Sequence, residues 1–128
     1  MRILKFDNPV FQQGVPNLTV RRGIKWAIPS NNETVEIRDS CNKPLGKARI
    51  VATRVTRFSD LHDGTLSSNH DPDCRTADGL YRAMCRSYNL RGRLAPITYF
   101  KEDEIVTLVY FEVLFCPHCG SPSISGCS

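Results

Sequence analysis

No stretch of this sequence approaches the ~20 consecutive apolar residues that a membrane-spanning helix needs, so a transmembrane helix is excluded. No long apolar region follows Arg2 and Lys5 either, so no secretory signal is expected and the protein reads as cytoplasmic. Internal repeats are absent, and nothing of low complexity interrupts the chain before its tail. The 128 residues are therefore expected to form one domain with a real core. A strong charge of either sign is also missing. A formal net charge of +4 permits a nucleic-acid partner without requiring one. Six cysteines are present, but without a secretory signal they argue for reduced thiols or a metal rather than a disulfide framework.

What is present is a soluble, globular composition, with 41% hydrophobic and 23% charged residues. The stretch from Leu18 to Trp26 organises the rest, because it sets apolar anchors beside three cations and holds the only tryptophan. Strand alternation turns Leu18, Val20 and Ile24 inward. It turns Thr19, Arg21 and Lys25 towards a cleft or solvent. Gly23 interrupts the pattern and predicts a bulge or bend. A bent basic strand end is suited to holding an anion or a nucleotide.

Before that stretch, Met1–Leu4 predicts a strand. Phe6, Val10 and Phe11 fall near helical spacing within 5–13, and Pro9 limits the helix. Gly14 to Asn17 predicts a turn, and Pro29 to Glu33 a loop. Thr34–Arg38 alternates strictly, with Val35 and Ile37 inward. Lys47–Phe58 reads as a long strand whose apolar phase slips near Val51 and Ala52, predicting a bulge. Arg49, Arg54 and Arg57 give it positive charge. The segment 59–74 is polar and irregular, carrying His62, His70, Asp71 and Asp73, and such a long loop in a small domain is usually functional or disordered.

Thr76 predicts the cap of a helix running to about Tyr88. Leu80, Ala83, Met84 and Tyr88 form its apolar stripe. Arg82 and Arg86, four apart, share one face that can meet phosphate. The segment 89–103 predicts a loop with a possible hairpin. Ile105–Phe115 is the strongest strand, apolar on nearly both faces, as in a strand covered on both sides.

The tail, 116–128, is expected to lie outside the domain formed by 1–115. Its Cys116-Pro-His-Cys119-Gly run matches a zinc knuckle, in which two thiolates and backbone amides wrap one structural Zn²⁺. There is no second C-x-x-C pair. Cys127 is the candidate third ligand, with Cys41, Cys74 or His118 open as the fourth. A redox-active C-x-x-C is the other reading, although Pro122 and the small polar residues after Gly120 disfavour the helix it needs.

In order, these elements resemble the ASCH domain of the PUA-like superfamily. The resemblance rests on Thr19-Val20-Arg21-Arg22-Gly23, Lys25-Trp26-Ala27, Val35-Glu36-Ile37-Arg38-Asp39, and Gly46, Ala48, Ile50 and Val55. It continues through Phe58, Asp60 and Leu61 to Phe111-Glu112-Val113, and so spans about residues 6–114. It implies an α+β fold: a small PUA-like β-barrel, closed or partly open, with flanking helices. It also implies a cleft between the barrel and the segment before the last helix.

Domains of this kind bind RNA or modified nucleobases. Some small ASCH proteins resemble amidohydrolases that deacetylate N4-acetylcytidine with a lysine, a threonine and a glutamate, and others have been linked to RNA cleavage. The threonine position falls on Thr19 and the acidic position near Asp73. The lysine position falls on Pro16, which cannot move a proton. Lys25 is nearby in the sequence, on the far side of the threonine. The expectation is thus an RNA-, nucleotide- or nucleoside-binding module with a basic cleft of Thr19, Arg21, Lys25, Trp26 and Asp73, supported by Arg22, Arg54, Arg57, Arg82 and Arg86. A hydrolase using Thr19, Lys25 and Asp73 is the alternative. A zinc-stabilised interaction protein using Cys116, Cys119 and Cys127 is the second alternative.

Overall fold

A computed structural model describes residues 1–27, 32–89 and 100–114. The elements are β1 (Ile3–Phe6), β2 (Asn17–Arg22), β3 (Thr34–Asp39), β4 (Pro44–Arg57), α1 (Asp63–Leu66), α2 (Ala77–Asn89) and β5 (Ile105–Val113). Short 3-10 turns occupy Lys25–Ala27, Phe58–Asp60 and Pro72–Cys74. The architecture is α+β, with one mixed sheet of order β1-β3-β4-β5-β2. β1 runs parallel to β3, and the other neighbours are antiparallel.

The strands form where alternation demands them. Val35 and Ile37 of β3 are fully buried, while their neighbours are only partly covered. β4 buries Leu45, Ala48 and Ile50. Its register against β5 then slips between Ile50 and Ala52, where the apolar phase of the sequence slips. β5 is buried on both sides because two apolar clusters share it. Val109, Phe111 and Val113 join Leu4, Phe6, Val35 and Ile37 on one side. Val106 and Leu108 join Leu18, Val20, Phe58, Leu80 and Met84 on the other, beneath α2. Burial of this kind contributes about 1.5–3 kcal/mol for each large apolar side chain.

α2 begins where Thr76 Oγ1 accepts from the Gly79 amide at 3.1 Å. Its N-terminal turn packs against the Pro72–Cys74 turn. A Cβ at Gly79 would overlap the Asp73 carbonyl, so only glycine permits this approach.

Three expectations are corrected. The five strands do not close into a barrel: β1 and β2 end the strand order, and no ladder joins them among the described residues. The sheet curls instead, bringing the Arg21 guanidinium to 4.8 Å from the Phe6 ring centroid, edge facing edge. Second, residues 7–16 form no helix. Phe6 ends β1, and Phe11 reaches back to meet it edge-on at 5.0 Å. Third, Ile24 is exposed rather than inward. Gly23 takes φ +78° and reverses the alternation that the preceding strand establishes. The tail, residues 116–128, lies outside the described residues.

Candidate functional site

The gap between the two sheet edges is a cavity of about 230 Å³. β1 and its continuation contribute Lys5, Phe6 and Asp7, and β2 contributes Thr19 and Arg21. The loop before the Pro72–Cys74 turn contributes Asn69, His70 and Asp71, and α2 closes the remaining side with Leu80, Met84 and Ser87.

The loop reaches the strand by backbone pairing. The Leu18 amide donates to the Ser68 carbonyl and the His70 amide to the Leu18 carbonyl, each at 2.9 Å. Arg75 Nε donates to the Asn69 carbonyl at 2.9 Å and fixes the loop from behind. Ordinary strand-like bonds thus set Asn69 and His70 beside Thr19, with no need of a long element.

Three polar side chains form the floor: Thr19, Asn69 and His70, exposed by 5%, 2% and 7%. Thr19 Oγ1 accepts from Arg21 Nε at 3.2 Å. Asn69 Oδ1 accepts from the Asp71 amide at 3.0 Å. His70 Nδ1 sits 2.9 Å from the Val10 carbonyl. The His70 ring packs against Phe6, Phe11 and Phe111 at centroid distances of 4.7, 5.6 and 6.3 Å. Burial is the largest cause pushing its pKa down to about 4, so the imidazole is neutral near pH 7.

Asn17 holds the 7–16 loop in place. Its side chain accepts from the Gln12 amide at 2.7 Å and donates to the Gln12 carbonyl at 2.9 Å. The loop in turn supplies the Val10 carbonyl to His70.

The rim is exposed at Lys5 and Asp7, half-buried at Arg21 and Asp71, and mixed in charge. Lys5 and Arg21 face Asp7 and Asp71, so the charged lining is balanced rather than basic. Asp71 is already engaged, since its Oδ1 accepts from the Asp73 amide at 3.0 Å. Ser87 Oγ donates to Asp7 Oδ2 at 2.9 Å, linking α2 to the end of β1.

The sequence-predicted residues divide between this cavity and other places. Thr19 and Arg21 line it. Lys25 and Trp26 do not, because the bend at Gly23 carries them into the next turn. Trp26 is buried in the core, and the Arg2 guanidinium covers its ring at 4.2 Å, where a base would have to stack. Arg22 is paired with Glu104 at 2.6 Å. Asp73 is exposed in the Pro72–Cys74 turn and does not line the cavity. Arg54 and Arg57 are exposed on β4, where Arg57 donates to the Asp103 carbonyl at 3.0 Å. Arg82 and Arg86 are exposed on α2, beside the lining but not in it.

Lys5, Asn69 and His70 were not singled out as site residues by sequence reasoning. The signal available was an Asn-His pair in a polar loop too long for a bare connection.

Cys116, Cys119 and Cys127 lie outside the described residues. Among the described residues no group of three or more His, Cys, Asp or Glu is placed to hold a metal. Cys74 does not fit as a thiolate ligand. It is buried, its thiol donates towards Asp71 Oδ2 at 3.7 Å, and burial followed by the Asp71 charge raises its pKa to about 12.

An open, curled α+β sheet with a polar cavity between its edges is the class of protein that fold and site define. No family model matches the chain, and no curated protein matches it. Among solved structures, it is similar to an ASCH domain from Lactobacillus crispatus JV V101. The TM-score is 0.59 with 13% identity, covering 77% of this chain and 64% of that one. It is also similar to a protein of Enterococcus faecalis V583 from family DUF984. There the TM-score is 0.58 with 19% identity, covering 79% of this chain and 62% of that one. The chain therefore spans less than two thirds of the length of either structure. The fold is that of an ASCH domain.

Proposed function

We propose that this protein is an ASCH-domain module that binds RNA or a free nucleotide by admitting one base to the cavity between β1 and β2. The observation that carries the reading is the floor: three polar side chains, each more than nine-tenths buried, converge where two sheet edges part. Each is already anchored by a protein partner, and any polar atom left over keeps access to the cavity, where a base edge can pair with it. Lys5 and Arg21 at the mouth are the groups for phosphate. A cavity of about 230 Å³ lies below the ~300–1,000 Å³ of pockets for larger ligands, which suits one base or nucleoside.

Catalysis is left out of the proposal. Thr19 Oγ1 has Arg21 Nε as its hydrogen-bond partner, and a guanidinium cannot take a proton from a nucleophile. Pro16, at the lysine position, is exposed and offers no substitute.

Titration with single-stranded RNA at several salt concentrations tests the reading. Two phosphate contacts predict a shallow dependence, with a logarithmic slope of about −1.4 for a single strand. Absence of binding at low salt would overturn it.

A further inference from the structure

We propose that the outer edge of β4 over residues 53–57 docks an extended acidic peptide as an added β-strand. This surface is separate from the cavity, since none of its residues lines it.

The edge exists because two paired strands differ in length. β4 has 14 residues and β3 has 6. Their ladder reaches Thr34↔Arg49, and the bonds of Ile50 with Asn32 and Glu33 extend it by one step. Beyond that point β4 has no neighbour on this side among the described residues. Its other side stays paired with β5 as far as Arg57↔Ile105.

Alternation decides which groups the edge presents. The Phe58 amide donates to the Glu104 carbonyl at 2.9 Å, one step past that register. Bonded pairs in an antiparallel ladder recur at every second residue, so Thr56, Arg54 and Ala52 turn their backbone groups to β5. β5 agrees from its far side. The Ile105 carbonyl accepts from the Gly23 amide at 2.8 Å, so the odd-numbered residues of β5 face β2 and the even-numbered ones face β4. Thr53, Val55 and Arg57 therefore direct N–H and C=O outward. Among the described residues no strand and no backbone group meets them.

The side chains define the occupant. Val55 is 46% exposed and Ile105 36%, and the register makes them diagonal neighbours on one face. Arg54 is exposed on the opposite face, with no ion pair or hydrogen bond among the described residues. Arg57 is exposed too. It donates from Nη1 to the Asp103 carbonyl and keeps its other N–H groups. Residues 51–57 include no carboxylate. Pairing of two copies through this edge would bring two arginines from each to one seam, which like-charge repulsion opposes. An acidic strand complements it instead, with a carboxylate opposite Arg54, an apolar residue opposite Val55 and a second carboxylate opposite Arg57. Main-chain bonds supply the affinity of such an addition, and alternate side chains select the partner.

Capped peptides centred on Glu-Val-Thr-Glu, for parallel addition, and Glu-Thr-Val-Glu, for antiparallel addition, test the proposal against a Lys-Val-Thr-Lys control. Amide hydrogen exchange supplies the residue-level readout. In the free protein, Thr53, Val55 and Arg57 should exchange fast, and Arg54 and Thr56 slowly. One of the glutamate peptides should slow the first three, and the lysine peptide should not. The double variant Arg54→Glu with Arg57→Glu should lose at least about 10-fold in affinity for that peptide and gain affinity for the lysine control.

No slowing by either glutamate peptide overturns the proposal. So does slow exchange of Thr53, Val55 and Arg57 in the free protein, which means that a second copy or another part of the chain already covers the edge. Equal binding by the wild type and the double variant overturns the choice of an acidic partner. Protection of the edge by oligouridylate and by neither peptide assigns it to RNA and also overturns the proposal. Should the double variant fail to fold, the exchange pattern of the wild-type protein decides.

Discussion

Thr19, Asn69 and His70 at the floor of the cavity are each more than nine-tenths buried, whereas Lys5, Asp7 and Ser40 at its rim are exposed. The floor residues are held twice over, by backbone pairing between Leu18 and the 68–70 segment and by their own side-chain bonds. The rim is tied by surface contacts, such as Ser87 with Asp7. Floor residues therefore serve stability and recognition together, and changes there should register in both. Rim residues should register in binding alone.

The largest effect that would sharpen this contrast is expected from Phe6→Ala. Its ring supports the floor through Phe11, His70 and Phe111, and truncating such a ring costs about 3–5 kcal/mol, measurable by urea denaturation. Acid comes next. His70 is held neutral, with its pKa pushed from 6.5 to about 4, so the unfolded chain binds the extra proton first. Its contribution is intact above pH 6.5 and is lost as pH falls towards 4, amounting to roughly 3 kcal/mol. Denaturation midpoints across that range should fall in the wild type and fall less in His70→Phe.

Asn17→Ala should cost about 1–3 kcal/mol by the same assay. It strands the Gln12 amide and loosens the loop that presents the Val10 carbonyl. The smallest stability change belongs to the rim. Lys5→Ala should stay within about 0.5 kcal/mol in denaturation, while the salt slope of RNA binding becomes shallower by roughly 0.7. A floor substitution that leaves stability untouched, or a rim substitution that unfolds the protein, would break the distinction.

Much of the scaffold was legible in the sequence because it rests on local periodicity. The alternation of Val35 and Ile37, the phase slip near Val51, the two-faced Ile105–Val113 strand and the Thr76 cap each name their element without help from distant residues. A cleft beside the segment before the last helix came from the ASCH resemblance, not from local pattern, and the pairing of Leu18 with Ser68 and His70 puts that segment against β2. What was not legible depends on one torsion or on sheet curvature. Gly23 at φ +78° sends Lys25 away from the cavity, whereas alternation alone carries it in beside Thr19 and Arg21. Asp73 was assigned by position, whereas the structure turns its neighbours Asp71, His70 and Asn69 inward. Closure of the sheet depends on how far β1 and β2 stand apart, and no local pattern encodes that distance. Lys5 fell in the 5–13 segment read as near-helical, and its place at the cavity comes from β2, distant in sequence.

The most direct measurement is a two-dimensional NMR titration of the isotope-labelled protein with uridine monophosphate and cytidine monophosphate. Shift changes should concentrate at Thr19, Arg21, Asn69 and His70, with smaller ones at Lys5 and Ser87. The exposed arginines of β4, Arg54 and Arg57, should stay unmoved. Changes confined to β4, or none around the junction of β1 and β2 with either nucleotide, would contradict the account.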